Sequence, residues 1–397
     1  MTKVAFFYAT FPRPTETFVR RELRALDDIG FKPDIYSIWG GNSEWENRKI
    51  NRFRFPRLLT LFFWLPYWAW KKPKVFKTIL CELWIRPCPN LQNWNETFLG
   101  LAFALVEAKK FEGKNYELVH GVWATMPATA VFALNRLIDV PYSMGAHAYD
   151  VFRKGGDWLL NLKFKHAQFV RTSSFSTVKR IESFGVSSAK IKLIRRGISN
   201  WPKRDGFHLV NSEKLEILSV GRLVEKKGYF CQLKIARELK DIGIPFRLRI
   251  VGDGPLLGEL LIERNRLELI GNVEFLGSKN QSSISKLYLS SDIFLFTGIV
   301  SKNGDRDGIP NVILEAMASG CLIMASGYAG ASEAFTDKLS GFSLNPYNAI
   351  EWIEILRRFW MDSKNFNSLR YKAIEHSKKV FNIKRTASAL FSTISER

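Results

Sequence analysis

Short apolar runs alternate with amphipathic stretches along most of the chain. The first run, Lys3 to Ala9, has the composition of a buried strand. Phe18 to Ile29 follows with apolar residues at helical spacing, which predicts a helix that Gly30 ends. From Glu117 onward, strand-like and helix-like segments alternate regularly. This alternation predicts an α/β fold with a parallel, doubly wound sheet, in which ligands bind beyond the carboxyl ends of the strands.

A second series of the same kind follows residues 199–213, where the periodicity is lost and an interdomain linker is predicted. Its first strand lies in LEILSVGRL, and the strand-like segments FRLRIVGDGP, VEFLG and DIFLFTG come after it. The 397 residues are enough for two domains of ordinary size. The pattern therefore predicts one doubly wound domain over residues 1–200 and another over residues 201–379.

Residues 51–80 depart from this pattern. They contain seven basic residues and no acid, around the aromatic run LLTLFFWLPYWAW from Leu58 to Trp70. The run is shorter than the roughly 20 residues that span a bilayer, and Pro66 interrupts it. Aromatic rings flanked by Lys and Arg favour an interfacial contact with a membrane. The alternative is a helix that packs its apolar side on the domain core and leaves a solvated basic side.

The overall charge points in the same direction. The formal net charge is +21, and residues 1–200 contain 31 Lys and Arg against 16 Asp and Glu. A basic N-terminal half predicts an anionic partner, such as a membrane surface or a phosphorylated acceptor. Nucleic acid ranks below these because the sequence has no RNP-like or KH-like motif. The four cysteines and five histidines are scattered and match no disulfide framework or zinc pattern, so no bound metal is predicted.

The candidate chemistry is concentrated in Gly304 to Gly320, GDRDGIPNVILEAMASG, between two strand-like runs. A glycine and a proline mark a loop there, and a helix is predicted from Asn311 to about Ser319. A helix N-terminus presents unpaired N–H groups and a partial positive charge, which suit phosphate or sugar oxygens. Asp307 precedes the helix, and Glu315 is placed to accept hydrogen bonds from a pair of hydroxyls. For Glu315 alone, a solvated acid on a capped helix is the alternative.

A basic loop follows the first strand of the second series. It reads GRLVEKKG, from Gly221 to Gly228. Arg222 is suited to hold a diphosphate by its forked guanidinium, and Lys227 as a point charge. The alternative is a solvated turn that has no ligand.

Together these motifs resemble the donor site of the retaining glycosyltransferase family 4, in the branch that builds bacterial exopolysaccharides of the colanic-acid type. That family has the GT-B fold, two Rossmann-like domains with a cleft between them. The resemblance rests on an acid, Gly-x-Pro and Glu-Ala-Met-Ala-x-Gly, and on Gly-Arg-Leu followed by Lys-Gly. Asp307 stands where many relatives carry Glu. The resemblance implies donor-binding roles for Gly221, Arg222, Lys227, Gly308, Ile309, Pro310, Asn311 and Glu315.

The N-terminal half is similar to the same family at FPRPTETF near the start and at GAHAYD. The second match implies that His147 contacts the phosphate and sugar of the donor, with Asp150 and His120 in support. The first match faces the acceptor in GT-B enzymes, although a threonine there is as well suited to cap the helix. The catalytic residues implied are His147, Asp307, Arg222 and Lys227, and those on the acceptor side are Thr15, Glu16, Thr17 and Arg20.

The resemblance implies a retaining transfer of a hexose from a nucleotide sugar, UDP-sugar before GDP-sugar, with no cofactor or bound metal. The acceptor would be a hydroxyl of a lipid-linked or polysaccharide glycan. The enzyme would then be cytoplasmic and peripheral to the inner face of the cytoplasmic membrane. Residues 380–397 would form a last helix that returns to the N-terminal domain. A nucleotide-sugar epimerase of the same fold and a non-catalytic membrane-bound scaffold are the alternatives.

Overall fold

The chain divides into two compact units. The computed structural model describes residues 3–13, 16–204, 206–207, 213–328 and 330–396. The N-terminal unit comprises Met1–Arg195 and Ile383–Arg397, and the C-terminal unit comprises Arg196–Asn382. The last helix is therefore part of the N-terminal unit.

The N-terminal unit is built on an eight-stranded sheet. Its strands are β1 (Val4–Tyr8), β2 (Asp34–Ser37), β3 (Glu44–Trp45), β4 (Arg48–Arg52), β5 (Leu118–Gly121), β6 (Tyr142–Gly145), β7 (Val170–Thr172) and β8 (Ile191–Leu193). They lie in the order β3-β4-β2-β1-β5-β6-β7-β8, and every neighbouring pair is parallel except β3–β4.

Among the described residues of this unit, eight α-helices precede β8. They are α1 (Thr17–Asp28), α2 (Leu61–Lys71), α3 (Pro73–Ile85), α4 (Leu91–Glu112), α5 (Met126–Ile138), α6 (Tyr149–Phe152), α7 (Leu160–His166) and α8 (Phe175–Glu182).

The C-terminal unit has a six-stranded sheet in which all neighbouring strands are parallel. Its strands are β9 (Leu215–Val220), β10 (Phe246–Val251), β11 (Val273–Phe275), β12 (Ile293–Phe296), β13 (Leu322–Ser326) and β14 (Phe342–Leu344). Its helices are α9 (Tyr229–Asp241), α10 (Leu257–Arg266), α11 (Gln281–Leu289), α12 (Asn311–Ala318), α13 (Ala349–Met361) and α14 (Asn367–Val380). The chain then ends with α15 (Ile383–Ser395) of the N-terminal unit.

Both sheets are buried on both faces, and the strand sequences reflect this. In β1 all five residues are buried: Phe7 packs in one hydrophobic cluster, and its neighbours Phe6 and Tyr8 pack in another on the opposite face. In β9, Ile217 and Leu218 divide in the same way. Because helices cover both faces, the strands need continuous apolar runs rather than alternation of apolar and polar residues. The predicted doubly wound α/β class is thus confirmed in both units.

The strand order locates one crevice in each unit. In the C-terminal unit β9 lies between β10 and β12, and in the N-terminal unit β1 lies between β2 and β5. At such a switch point the two connections leave on opposite faces of the sheet, which opens a crevice at the carboxyl ends of the strands. The loops after β9 and β12, and those after β1 and β5, are therefore the positions for ligands.

Several elements differ from the sequence prediction. The first predicted helix is displaced by one residue, since α1 covers Thr17–Asp28. The hairpin of β3 and β4 and the long helix α4 had no clear signal. Helix α4 packs against both α2 and α5, so apolar residues surround it and blur the one-sided pattern by which an amphipathic helix is recognised.

Residues 51–80 form the end of β4, a 3-10 turn, α2 and the first part of α3. Pro66 lies inside α2 and does not end it, so the predicted interruption is wrong for the helix. Trp68 is fully buried and donates from Nε1 to the Leu105 carbonyl oxygen at 3.0 Å. On the outer side, Phe62 and Trp70 are each 81% exposed. The segment therefore has a core-facing side and, in addition, an exposed aromatic side.

Acids from outside this segment neutralise part of its charge. The three ion pairs are Arg57–Glu107, Lys71–Glu112 at 3.8 Å and Lys72–Asp139 at 3.2 Å. Within the described part of the chain, the basic residues of the segment that form no ion pair are Arg52, Arg54, Lys74 and Lys77. None of the described helices has the length and hydropathy needed to cross a bilayer.

A buried ion pair joins several elements of the N-terminal unit. Lys163 of α7 is fully buried and contacts the carboxylate of Asp157, whose Oδ1 accepts from Asn93 of α4 at 2.8 Å. Its ammonium also donates to Thr129 Oγ1 of α5 at 3.2 Å and to the Ala124 carbonyl oxygen. Each buried charge thus has partners, which is the condition under which such a pair is tolerated.

We expect Lys163→Met to lower the free energy of unfolding by about 3 kcal/mol, because Asp157 would remain buried without its counter-charge. Urea unfolding followed by circular dichroism measures the change. Lys165→Met is the matched control, since Lys165 lies on the same helix with an exposed side chain. Equal stability of the two variants would contradict a structural role for the pair.

Candidate functional site

Two loops meet at the switch point of the C-terminal sheet. The loop Gly221–Gly228 follows β9, and residues 297–310 follow β12 and lead into α12. Two hydrogen bonds join them: Ile299 N donates to the Lys226 carbonyl oxygen at 2.8 Å, and Lys302 N donates to the side-chain Oε1 of Glu225 at 3.1 Å. The basic loop and the acidic loop predicted from the sequence are therefore held against each other.

Gly228 makes this contact possible. Its φ is +66°, a left-handed conformation, and a Cβ atom there would lie 2.0 Å from the Thr297 carbonyl oxygen. Thr297 Oγ1 in turn donates to the Gly228 carbonyl oxygen at 2.8 Å. Any side chain at 228 would have to push the strand end of β12 away, so the glycine fixes the spacing of the two loops.

Four charged side chains are brought together between these loops. Lys227 Nζ lies 2.7 Å from Asp307 Oδ2, and Lys226 Nζ lies 3.5 Å from Asp307 Oδ1 and 3.1 Å from Asp305 Oδ1. The side chains are between 15% and 18% exposed. The result is a compact cluster of two cations and two anions, which we call the lysine–aspartate cluster.

The cluster determines the ionisation of its members. Burial tends to raise the pKa of Asp307, but Lys227 and Lys226 outweigh it and hold that pKa below its usual value. Burial tends to lower the pKa of Lys226, but Asp307 and Asp305 outweigh it and raise that pKa. Both net shifts favour the charged forms. The ion pairs of Asp307 are therefore present at neutral pH and are lost only as the pH falls through its lowered pKa.

The side chain of Lys227 lies across Gly221. A Cβ atom at 221 would be 3.4 Å from Lys227 Cε and 3.0 Å from the Tyr229 hydroxyl, which donates to the Gly221 carbonyl oxygen at 2.8 Å. On its other side, Lys227 Nζ lies 5.1 Å from the centroid of the Phe296 ring. The ammonium is thus directed by its surroundings, whereas the side chain of Arg222 is exposed.

The N-terminus of α12 adds main-chain donors to the same edge of the sheet. Pro310 precedes the helix in an extended conformation and Asn311 begins it, so the proline lies one position before the first helical residue. Ile309 is 9% exposed, and Gly308 packs on Gly330, where a Cβ atom would approach the Gly308 carbonyl carbon to 2.5 Å. Glu315 lies on α12 and is half-buried.

In the N-terminal unit, Asp150 organises the residues after β6. It is buried, and its carboxylate accepts from the backbone N–H groups of Ala124, His147 and Ala148 at 2.7–3.2 Å. Burial raises the pKa of Asp150 and these N–H groups oppose the rise. The acid therefore joins the loop after β5 to the loop after β6.

His147 is placed by these loops. Its ring is 5% exposed and packs edge-on against Trp123 at a centroid distance of 5.3 Å. A Cβ atom at position 145 would be 2.8 Å from His147 Nε2, so the absence of a side chain at Gly145 leaves room for the ring. Asp150 thus supports His147 through its backbone.

His120 is buried in the sheet, and its predicted support of His147 stays a prediction. Its Nδ1 lies 2.8 Å from the Ser143 hydroxyl, and burial together with Arg171 lowers its pKa to about 3. Arg171 is itself buried and forms a two-pronged ion pair with Glu22 of α1. These residues connect α1 to the sheet and keep His120 neutral.

The acceptor-side residues lie around the start of α1. Thr17 is the first helical residue and Glu16 precedes it without capping the helix through its side chain. The carboxylate of Glu16 lies 3.8 Å from Arg13, and Arg20 is half-buried one turn later. Thr15 lies outside the described residues, so its predicted role stays a prediction.

Lys226 and Asp305 were missed by sequence reasoning. The first is the earlier lysine of the pair KK, and the second is the earlier acid of DRD. The two residues lie on loops that are about 80 residues apart in the sequence. Their contact can be inferred only once the strand order is known. The prediction that no bound metal is needed also stays a prediction; among the described residues, no group of three or more His, Cys, Asp or Glu is arranged to hold a metal ion.

Comparison with known proteins gives one family match and several relatives. Residues 202–379 match the family described as glycosyl transferases group 1. The chain is 25% identical to the putative colanic acid biosynthesis glycosyltransferase WcaL of Salmonella typhimurium, over 99% of this chain and 100% of that one. It is 28% identical to the amylovoran biosynthesis glycosyltransferase AmsK of Erwinia amylovora, over 86% of each chain.

Solved structures of similar fold cover the whole chain. Alr3699/HepE of Anabaena in complex with UDP and glucose has a TM-score of 0.72 at 15% identity and covers 100% of each chain. Sucrose-phosphate synthase from Thermosynechococcus elongatus has a TM-score of 0.74 at 15% identity, over 100% of this chain and 99% of that one. At this identity, the likeness establishes the fold.

We expect Lys226→Met to loosen the loop 299–307, because the variant removes the ammonium that contacts both Asp305 and Asp307. Amide hydrogen exchange in this loop, followed by mass spectrometry, should become about fivefold faster. Lys302→Met, on the same loop with an exposed side chain, is the control. Unchanged exchange in Lys226→Met would mean that the hydrogen bonds of Ile299 and Lys302 hold the loop without the Lys226 ammonium.

Proposed function

We propose that this chain, whose residues 202–379 match the group 1 glycosyl transferases, moves a hexose from a nucleotide diphosphate sugar to a hydroxyl of a bacterial surface glycan, with retention at the sugar. Its two α/β units have the GT-B fold that the sequence predicted. The family predicted by resemblance is likewise confirmed at the level of an exopolysaccharide-type glycosyltransferase. The observation that carries the proposal is the lysine–aspartate cluster at the switch point of the C-terminal sheet.

The cluster and its surroundings suit a donor with a diphosphate. Lys227 is directed across Gly221, Arg222 is exposed beside it, and the N-terminus of α12 presents main-chain N–H groups. In the proposed complex, the diphosphate forms ion pairs with Lys227 and Arg222, and Glu315 accepts hydrogen bonds from the ribose hydroxyls. The N–H groups from Gly308 to Asn311 then face the donor sugar and phosphate.

Charge balance gives Lys226 a role in this complex. The cluster is neutral as it stands, with two cations and two anions. A diphosphate that binds Lys227 would break the ion pair of that lysine with Asp307 and leave the carboxylate close to a second anion. This is unfavourable unless another cation remains paired with Asp307. Lys226 lies 3.5 Å from Asp307 and is proposed to keep that partner. Asp307 would then remain ionised to accept hydrogen bonds from the donor sugar.

Transfer proceeds in this proposal by attack of the acceptor hydroxyl on the face from which the nucleotide leaves. The bond from the anomeric carbon to the diphosphate oxygen breaks, and charge grows on the diphosphate. Lys227 and Arg222 stabilise that charge, an effect realised mainly in the transition state. The acceptor proton passes to the departing phosphate oxygen, so the protein supplies no nucleophile. His147 is proposed as an additional contact to a sugar hydroxyl or phosphate.

Two observations support the choice of donor and acceptor. HepE, which shares the fold, was solved with UDP and glucose, and this favours a UDP-sugar over a GDP-sugar. The similar WcaL and AmsK are named for colanic acid and amylovoran biosynthesis, which favours a glycan acceptor, proposed here to be lipid-linked. The exposed aromatic and basic side of residues 51–80 suits contact with the inner face of the cytoplasmic membrane.

Nucleotide release from a panel of UDP- and GDP-sugars, with and without bacterial membrane lipid extract, tests the activity. We expect release from one donor, increased by lipid and reduced by about a hundredfold in Glu315→Ala, because the ribose hydroxyls lose a charged hydrogen-bond acceptor. Glu259→Ala is the control, since Glu259 is exposed on α10 of the same unit. Absence of nucleotide binding would overturn the proposal, and isomerised sugar nucleotide would indicate an epimerase instead.

Lys227→Met should lower kcat about a hundredfold with a smaller effect on KM, because the charge that Lys227 stabilises grows in the transition state. Lys234→Met, at an exposed position on α9, serves for comparison. A hundredfold rise in KM with an unchanged kcat would instead assign Lys227 to ground-state binding. Proton NMR of the first-formed product gives the anomeric configuration, and inversion would contradict the retaining mechanism.

A further inference from the structure

A cavity of about 600 Å³ lies in the N-terminal unit at the connection between α3 and α4. Arg86 and Cys88 of this connection form one side, and Lys154 and Phe184 are among the residues of the other. The lining thus combines two cationic side chains with apolar and sulfur-containing groups. None of these residues belongs to the predicted donor or acceptor sites.

The position of Arg86 is fixed by the fold. Its guanidinium donates to the carbonyl oxygens of Gly156 and Asp157, at 2.9 and 2.7 Å. Lys154 is exposed, with a φ of +48° in the turn that precedes these two residues. The carboxylate of Asp157 is engaged by Lys163 and Asn93. The cavity therefore has a basic rim, and the carboxylate of Asp157, two residues after Gly155 of its lining, already has partners.

Strongly exposed apolar side chains stand beside the cavity. Trp84 is 91% exposed and Ile85 is 75% exposed, and they immediately precede Arg86. Leu91 and Trp94, at the start of α4, are 75% and 47% exposed. Side chains of this size are rarely left in water in a group unless they contact a partner or a membrane. They follow the exposed aromatic residues of α2 along the chain.

We propose that this cavity binds the phosphate-bearing headgroup of a membrane phospholipid, and that Trp84 and Ile85 insert beside its acyl chain. The inference rests on the proposed membrane contact of residues 51–80 and extends it to the α3–α4 connection. Between residues 51 and 90, Glu82 is the one acid against eight basic residues. An anionic lipid surface is the occupant that matches this charge, and an apolar layer beneath its headgroups is the environment that suits Trp84.

Vesicle co-sedimentation tests the surface, with phosphatidylcholine vesicles that contain or lack phosphatidylglycerol. We expect Trp84→Ala to weaken binding to both kinds of vesicle by about tenfold, because a large apolar side chain no longer enters the bilayer. Lys154→Gln should weaken binding by about fivefold, and only when phosphatidylglycerol is present. Ile350→Ala and Lys338→Gln are matched controls: Ile350 is 76% exposed, and Lys338 is exposed with a φ of +57°, both in the C-terminal unit.

Cys88 reports directly on the cavity. Its alkylation, measured by peptide mass, should slow when phosphatidylglycerol vesicles are added, while that of Cys231 in the C-terminal unit should not. Unprotected Cys88, or variants that bind vesicles as well as their controls, would overturn the proposal. Equal protection by inorganic phosphate without lipid would also overturn it, because the site would then bind a free anion.

The same samples separate this inference from the proposed function. Nucleotide release without vesicles should be unaffected by Trp84→Ala and Lys154→Gln. Protection of Cys88 in a protein that binds no nucleotide would support the lipid site and contradict the transferase proposal. Nucleotide release in a protein whose Cys88 is never protected would support the transferase proposal and contradict the lipid site.

Discussion

The attraction between two lysines of one loop and two aspartates of another is the interaction on which the candidate site depends. The sheet brings the two loops to one edge, and Gly228 allows them to touch. The four charges then decide which groups an incoming ligand meets. Because Lys227 already forms an ion pair with Asp307, an anionic ligand can bind Lys227 only if it replaces Asp307 in that pair. The affinity for a ligand therefore depends on how much more stable its ion pair with Lys227 is than the pair with Asp307. This favours a ligand with more than one negative oxygen.

The N-terminal unit uses charge differently. Asp150 accepts three main-chain N–H groups, and Lys163 is fully buried with its counter-charge. These groups hold loops in place, and their partners are donors and acceptors of the protein itself. Hence one unit keeps accessible, exchangeable charge at its switch point, while the other uses buried charge to fix the backbone around His147.

The sequence was informative where local pattern and long-range position coincide. Continuous apolar strands predicted both doubly wound sheets, and the glycine and proline around Asp307 predicted the start of α12. It was uninformative about α4, which is apolar on several sides, and about Lys226, whose partners lie about 80 positions away. No local signal connects such residues, because the strand order β9–β12 alone makes them neighbours. The contact of His120 with Ser143 has the same origin.

Residues 51–80 contain seven positively charged side chains, but three of these are paired with acids. Glu107 and Glu112 of α4, together with Asp139, form ion pairs with three of them. Ions of the medium therefore have about four charges to screen rather than seven. Attachment through this surface would accordingly depend less steeply on ionic strength than the composition suggests, and a larger share of its strength would come from the aromatic side chains. Such a protein could remain attached in salt that releases a purely basic one.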